Sequence, residues 1–555
     1  MKLLLKLFIF LSLTLLNNNS FSQVYYLKIS SKDSVENNIL KDIKFNKSKI
    51  HINQINKQIN SIHKQFNNLG FLNYKLESKI KKDSIFNYTY SLNKQVKTAF
   101  ITFNLEELYI KEFINLYKIE KLDNSLKLQF NELDDFMNNL LVFYEEKGYS
   151  FIKAKLTDNK IKNENLYSKL DISKNSSRRI DKIIIEGYNK FPNSYIKNYY
   201  LERNKNIFNK NILQKIYYDT NYIPFISQTK KPQVLFNKDS TLIYIYLKKK
   251  KTNLFNGLIG FSTNKNSKLQ LNGNLNLKLY NSFNKGEVIN LFWESSKENM
   301  QLDLLVDIPY IFNSRINPTA KLNIFKKDSS YVNIKFKSII NYQLNNRNKI
   351  GVIGEFEKSN IILKSENINY QDYTNNLYGI NYKFNKPYNS VFYKNKYLIN
   401  FNILIGKKNY QYKKYNNKKI QLNMNYLISI NNKNYIYLNN TTSVIISNNI
   451  LDNELLKVGD INILRGFKKN SILASKYSIF NIEYNYKLNK KTNIYTISDL
   501  GSFYYKKHNN IYSFGLGYKT KIKSSIININ YSFGIINKEF NIKNAILNIS
   551  FSNYF

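Results

Sequence analysis

Leu269-Gln270-Leu271-Asn272-Gly273-Asn274-Leu275-Asn276-Leu277-Lys278-Leu279 carries leucine or glycine at every odd position and a polar side chain at every even one. A period of two is that of a β-strand, whose successive side chains point to opposite faces. The alternation recurs outward from this stretch. Leu302, Leu304, Val306 and Ile308 interleave with Gln301, Asp303, Leu305 and Asp307; Tyr512, Phe514, Leu516 and Tyr518 with Ser513, Gly515, Gly517 and Lys519; Ile527, Ile529, Tyr531 and Phe533 with Asn528, Asn530 and Ser532. Passes of 9 to 11 residues exceed the ~5 or 6 of an ordinary soluble strand. They fit a barrel that turns its apolar face to lipid and its polar face to a lumen. About 16 such strands fit between residues 251 and 555, an even number, and the last alternates Ala545, Leu547, Ile549, Phe551, Asn553 and Phe555. The expected fold is an antiparallel transmembrane β-barrel over 251–555, preceded by α+β repeats.

Before the barrel the period changes. Ile52, Ile55, Ile59, Ile62, Phe66 and Leu69 step by threes and fours to Gly70, and Leu133, Phe136, Met137, Leu140, Leu141 and Tyr144 do so before Gly148. Each spacing predicts one apolar helix face closed by a glycine. The two glycines lie 78 residues apart, and Lys82-Asp83-Ser84 returns as Lys238-Asp239-Ser240 after 156, twice that period. A fixed period of this size is the mark of an internal repeat. The third copy reads most clearly: a strand over Ile180–Glu186, a turn at Gly187, helical faces at Tyr195, Ile196, Tyr199, Tyr200 and at Ile212, Leu213, Ile216, Tyr217, then strands over Gln233–Phe236 and Thr241–Leu247. The expectation is three β-α-α-β-β units over 23–95, 96–175 and 176–250, with helices covering one sheet face.

Residues 1–22, MKLLLKLFIFLSLTLLNNNSFS, read as a signal peptide, with Lys2 and Lys6 at an apolar run too short to span a membrane and a small-x-small ending at Ser22. The chain has 555 residues, a formal charge of +45 and no cysteine. Disulfides, thiolate metal sites and thiol nucleophiles are therefore excluded. The three histidines, His51, His63 and His508, lack ligand spacing. No metal, no cofactor and no catalytic set is expected: there is no nucleophile, base and orienter in sequence, and no glycine-rich phosphate loop. The positive charge does not point to nucleic acid, because the lysines are spread along the chain and over-used together with Asn, Ile, Tyr and Phe. The run Lys248–Lys251 falls where the last repeat meets the barrel and reads first as a solvated linker, with contact to anionic headgroups as the alternative.

One connection is long. Between strands, residues 447–475 contain Lys457-Val458-Gly459-Asp460-Ile461-Asn462-Ile463-Leu464-Arg465-Gly466-Phe467, and loops of this length are usually functional or disordered. This pattern, preceded by the repeats and followed by four strands to a terminal phenylalanine, resembles the BamA/TamA-like outer-membrane insertase superfamily, which also includes two-partner secretion transporters. Ile308-Pro309-Tyr310 is similar to that family's proline-bearing turn. The resemblance implies that the repeats are POTRA-like and that the loop folds into the lumen. It also implies that Arg465, with Gly466 and Phe467, is held there by Glu483 and by Asp499 of a D-x-G that ends at Gly501. A guanidinium fork can satisfy two carboxylates at once.

The implied protein is not an enzyme. It sits in the cell outer membrane with its N-terminal repeats in the periplasm. There it receives unfolded outer-membrane or surface polypeptides and inserts or translocates them by strand pairing at a barrel seam, with accessory assembly subunits and the lipid bilayer as further partners. The seam is expected between the first strand, where Gly257 and Gly260 add little packing, and the last, which ends at Phe555. The alternative is a two-partner-type transporter for one exported polypeptide.

Overall fold

The computed structural model describes residues 24–555 except 49, 105–106, 108, 123–124, 201–206, 264–268, 364–369, 389, 460–462, 538 and 541–544. The expected signal peptide, and Asp460–Asn462 of the loop motif, lie outside the described residues. The chain divides into two compact units, Met1–Arg179 with Ile207–Lys210, and Ile180–Asn206 with Asn211–Phe555.

The first unit holds two sheets. In one, Val24–Ser30 runs parallel to Ile85–Ser91, which pairs antiparallel with Lys75–Lys82. Helices Ser34–Asp42 and Ile52–Asn68 accompany it. Asp33 caps the first by accepting the Val35 N–H at 2.7 Å. Ile55, Ile59, Ile62 and Phe66 of the second are buried, four of the six residues expected on that face, while Ile52 and Leu69 at its two ends are exposed. Gly70 ends that turn at φ +91°, and a Cβ there would lie 2.1 Å from the Val96 carbonyl oxygen. In the other sheet Thr98–Thr102 is parallel to Asn165–Ser173 and antiparallel to Ser125–Gln129. Here the structure departs from β-α-α-β-β: a short hairpin, Lys121–Leu122 with Ser125–Gln129, is inserted between helices Ile110–Tyr117 and Leu133–Glu146. The reason is visible in Ser125-Leu126-Lys127-Leu128-Gln129, whose Leu126 and Leu128 alternate into the core.

The second unit begins with a smaller sheet. Lys182–Glu186 runs parallel to Thr241–Lys249, which also pairs with Gln233–Phe236 and Ile226–Gln228. All three sheets thus share a parallel pairing of first and last strand. The helical face expected at Tyr195–Tyr200 is a three-residue α-turn, Asn193–Tyr195, continued by a π-turn, Ile196–Tyr200. The wider turn separates the tyrosines. Tyr200 is buried with its hydroxyl 3.0 Å from Thr220 Oγ1, while Tyr195 meets Tyr310 of the barrel edge-on at 5.0 Å. Burial holds the Tyr195, Tyr199 and Tyr200 hydroxyls above their usual pKa.

The rest is a closed antiparallel barrel of sixteen strands. They are β1 Leu254–Thr263, β2 Leu269–Tyr280, β3 Val288–Ser295, β4 Asn299–Asp307, β5 Ile316–Lys327, β6 Tyr331–Gln343, β7 Asn348–Ile361, β8 Tyr373–Pro387, β9 Asn395–Tyr410, β10 Lys413–Ser429, β11 Asn434–Ser447, β12 Lys476–Asn489, β13 Thr492–Tyr505, β14 Lys507–Ile522, β15 Ser525–Ile536 and β16 Ile546–Tyr554. The outward parity is apolar: Phe336, Val352, Ile380, Ile405, Phe480, Leu516 and Ile549 are all exposed. The inward parity is largely polar, with ion pairs along it and one apolar cluster at Ile339, Ile353, Leu377 and Leu404. Glu355 holds Lys337 at 3.3 Å and Lys419 at 2.8 Å, and Glu357 holds Lys335 at 3.2 Å. An apolar exterior around a charged interior inverts a soluble protein and suits lipid. Among the described residues no helix is long and apolar enough to cross a membrane.

The small sheet sits at the end of the barrel where β1 begins, here the near end. Asn281 Nδ2 donates to the Tyr188 hydroxyl at 2.8 Å, Asn198 Nδ2 to the Asn313 carbonyl at 3.1 Å, and Asn346 Nδ2 to the Tyr199 carbonyl at 3.0 Å. Three successive near-end turns, β2–β3, β4–β5 and β6–β7, thus hold it.

Candidate functional site

The loop between β11 and β12 runs inward from the far end. Ser447, expected within it, closes β11 instead, because its backbone is still in register with Asn417 of β10. Leu456–Val458 and Ile472–Ala474 form a two-stranded stem. From it Val458, Leu464, Ile472 and Ala474 pack on Ile479, Phe503 and Ile511 of the lumen wall. This apolar contact buries one side of the loop and presents Arg465 to the wall.

The structure brings Arg465, Glu483 and Asp499 together. The Arg465 backbone N–H and Nε both donate to Asp499 Oδ2 at 3.0 Å, and Nη2 donates to Oδ1. Nη1 donates to Glu483 Oε1. Arg465 and Glu483 are each 5% exposed and Asp499 is fully enclosed. Charges this dry persist only when paired and fully hydrogen-bonded, so the cluster stands or falls as a unit. Glu483 has further partners: the Tyr393 hydroxyl donates to Oε2 at 2.6 Å, and Lys519 Nζ lies 3.4 Å away.

Gly466 and Phe467 seat the loop on β15. Gly466 adopts φ +75°, and a Cβ there would meet the Phe533 carbonyl carbon at 2.6 Å. Opposite it, a Cβ on Gly534 would meet the Phe467 ring at 2.6 Å. Two glycines back to back thus let the loop backbone touch the wall. Gly501 lies on β13 beside Ile479, leaving space under the apolar contact. A Gly534→Ala variant is expected to push Phe467 off the wall and lower stability by about 1–3 kcal/mol, read as a reduced thermal midpoint of the folded barrel.

Sequence reasoning missed Gly534 and a second attachment on the opposite wall. Asn453 Nδ2 donates to Ser359 Oγ at 2.6 Å and to the Gln371 carbonyl at 2.8 Å, while Asn333 Nδ2 donates to the Asn453 carbonyl at 2.6 Å. Glu454 accepts from Asn417 Nδ2 at 2.7 Å and forms a fully buried ion pair with Lys408. Lys469 pairs with Glu294 of β3. The loop therefore bridges the lumen from β12–β13 to β6–β10 and β3. The lumen parity of Lys408 and Asn417 was the available signal; their partner lies some 40 residues along the chain.

Gly257 and Gly260 lie on β1, and Phe555 follows β16. Among the described residues two residue pairs join these strands, Leu254 with Tyr554 and Phe255 with Asn553, supplemented by the Phe555 N–H donating to the Asn253 carbonyl at 2.9 Å. On their other sides β1 matches β2 over ten pairs and β16 matches β15 over eight. The barrel closes at one corner of its near end. Lys250 and Lys251, from the run before β1, border a cavity of about 730 Å³ at that end, together with Lys521 and Lys523. Burial and the neighbouring Lys521 hold the Lys250 ammonium below its usual pKa. Among the described residues no three His, Cys, Asp or Glu side chains group to hold a metal ion.

No protein-family description and no curated protein matches the sequence. Solved structures match in fold. CdiB from Escherichia coli aligns with a TM-score of 0.51 at 12% identity, covering 91% of this chain and 97% of that one. CdiB from Acinetobacter baumannii aligns at 0.49 and 14%, covering 91% and 97%, and BamA from Haemophilus ducreyi lacking POTRA domains 1–3 at 0.47 and 13%, covering 82% and 99%. At such identity the likeness is one of fold.

Proposed function

We propose that the protein is an outer-membrane assembly factor. The observation that carries this reading is the two-pair seam in an otherwise continuous barrel. A β1 edge left largely without a partner can accept an incoming strand by β-augmentation, through main-chain hydrogen bonds that are indifferent to side chain. The three α+β units upstream act as POTRA-like repeats in the periplasm, and they present unfolded barrel or surface polypeptides to the seam. The loop fixed by Arg465 braces the lumen while the seam opens. No step in this scheme requires a catalytic residue or a cofactor.

The secretion alternative shares the fold and differs in client. The complete α+β sheet over residues 24–91 supports a repeat at that position, where a dedicated transporter would carry a plug helix. Conditional depletion with quantification of the outer-membrane and secreted proteomes separates the two. Broad loss of barrel proteins is the expected result; loss of one exported protein with barrels intact would replace this reading by secretion.

A further inference from the structure

Three of the near-end connections are long. Two of them, β2–β3 and β4–β5, hold the small sheet. The third, between Pro387 of β8 and Asn395 of β9, makes no hydrogen bond to it among the described residues and sends one side chain into the lumen. Its Tyr393 is 7% exposed and reaches β12, where its hydroxyl lies 2.6 Å from Glu483 Oε2 and 3.0 Å from Asn485 Oδ1. Its ring packs on Tyr435 and Tyr437 of β11, centroids 5.6 and 4.7 Å away, and Lys519 Nζ sits 5.2 Å from its centre. Through Tyr393 this connection reaches from β8–β9 past β11 to β12.

The carboxylate it reaches is the one that holds Arg465. Oε1 of Glu483 serves the loop from the far end, and Oε2 serves the near-end connection and Lys519. A carboxylate is rigid and planar, so a rotation that follows one partner takes the other oxygen off its own. With the site enclosed, water does not replace the lost bond cheaply.

We propose that Tyr393 is a positioning residue of the lumen lock: the stretch 390–394 that carries it is a second stopper, coupled through Glu483 to the far-end loop, so that freeing either one loosens the other. Coupling of this kind is reciprocal by linkage. It is a property of the closed barrel and stands whether the client is a barrel protein or a secreted one.

The test uses the full-length folded protein in phosphatidylcholine bilayers, with hydrogen exchange and single-channel conductance as readouts. Tyr393→Phe keeps the ring and removes the donor. Exchange of amides at 463–474 is expected to quicken 3- to 10-fold and the open fraction to rise several-fold, with heat-modifiable mobility unchanged. Arg465→Lys is expected to quicken exchange at 390–397 in return. Tyr437→Phe, which keeps the packing and touches neither carboxylate oxygen, is expected to leave both segments as they are. Asn485→Ser supplies a milder change on the same path, expected to act in the same direction. If Tyr393→Phe and Asn485→Ser speed exchange only within 388–397 and leave 463–474 and the conductance unchanged, the coupling is overturned.

Discussion

A cysteine pair at Phe255 and Asn553 is expected to abolish assembly activity when oxidised and to restore it when reduced. These residues face each other in the register of β1 and β16, and the chain has no cysteine of its own to confuse the result. A disulfide across that pair turns the weakest junction of the wall into a covalent one. If activity requires a strand to enter there, the loss is complete, on the order of the whole signal. Oxidised and reduced protein are compared by the rate at which a radiolabelled barrel client becomes protease-resistant in proteoliposomes. Equal rates in both states would remove the seam from the mechanism. A cross-link between β9 and β10, which share fourteen register pairs, provides the control, since that junction has no reason to open.

Arg465→Lys is expected to cost at least tenfold in activity, and Arg465→Ala more. Lysine keeps the charge but offers a point donor in place of a planar fork, so it cannot serve Asp499 and Glu483 together. Alanine leaves two enclosed carboxylates opposite little positive charge, with Lys519 beside only one of them, a change worth about 3–5 kcal/mol for buried pairs. Glu483→Gln and Asp499→Asn in the alanine background are expected to recover stability without activity, because they remove the stranded charge but not the detachment of the loop. Thermal midpoints and client folding rates measured on the same preparations separate the two effects. A lysine variant that folds clients at the wild-type rate would mean that the loop is a passive plug.

Much of this was legible in the sequence, and the exceptions have physical causes. Strict alternation fixes which side chains enter the lumen, so Glu483 was assignable from its parity and Arg465 from the motif around it. Asp499 was harder. The run Tyr495-Thr496-Ile497-Ser498-Asp499-Leu500 mixes apolar and polar residues on both parities, and the β12–β13 register skips Glu483 and Tyr484, where Thr496 Oγ1 accepts the Tyr484 N–H at 3.2 Å. The helix face at Ile52–Asn68 followed its period because it packs on one sheet. The turn at Tyr195–Tyr200 did not, because its tyrosines serve the core and the barrel at once. Asn453, Glu454 and Tyr393 carry no local signature. They are polar residues in connections, and what sets them apart is a partner on a strand brought near only by barrel closure.

The strands are not equally long. Among the described residues, β1 and β16 at the seam have 10 and 9 residues, β2 and β15 next to them 12 each, and β3 and β4 further round 8 and 9, while β9 and β10 on the opposite side have 16 and 17. With a rise of ~3.3 Å per residue and a tilt of ~40°, the described strands stand about 20–30 Å high around the seam and about 40 Å across from it. Set in a bilayer whose hydrocarbon core is ~30 Å thick, the shorter strands near the seam would meet thinner lipid than the far side, at a cost of fractions of a kcal/mol for each ångström of mismatch. In the proposed assembly role that cost would be carried by the folded barrel in advance, on the side where a new strand would have to enter.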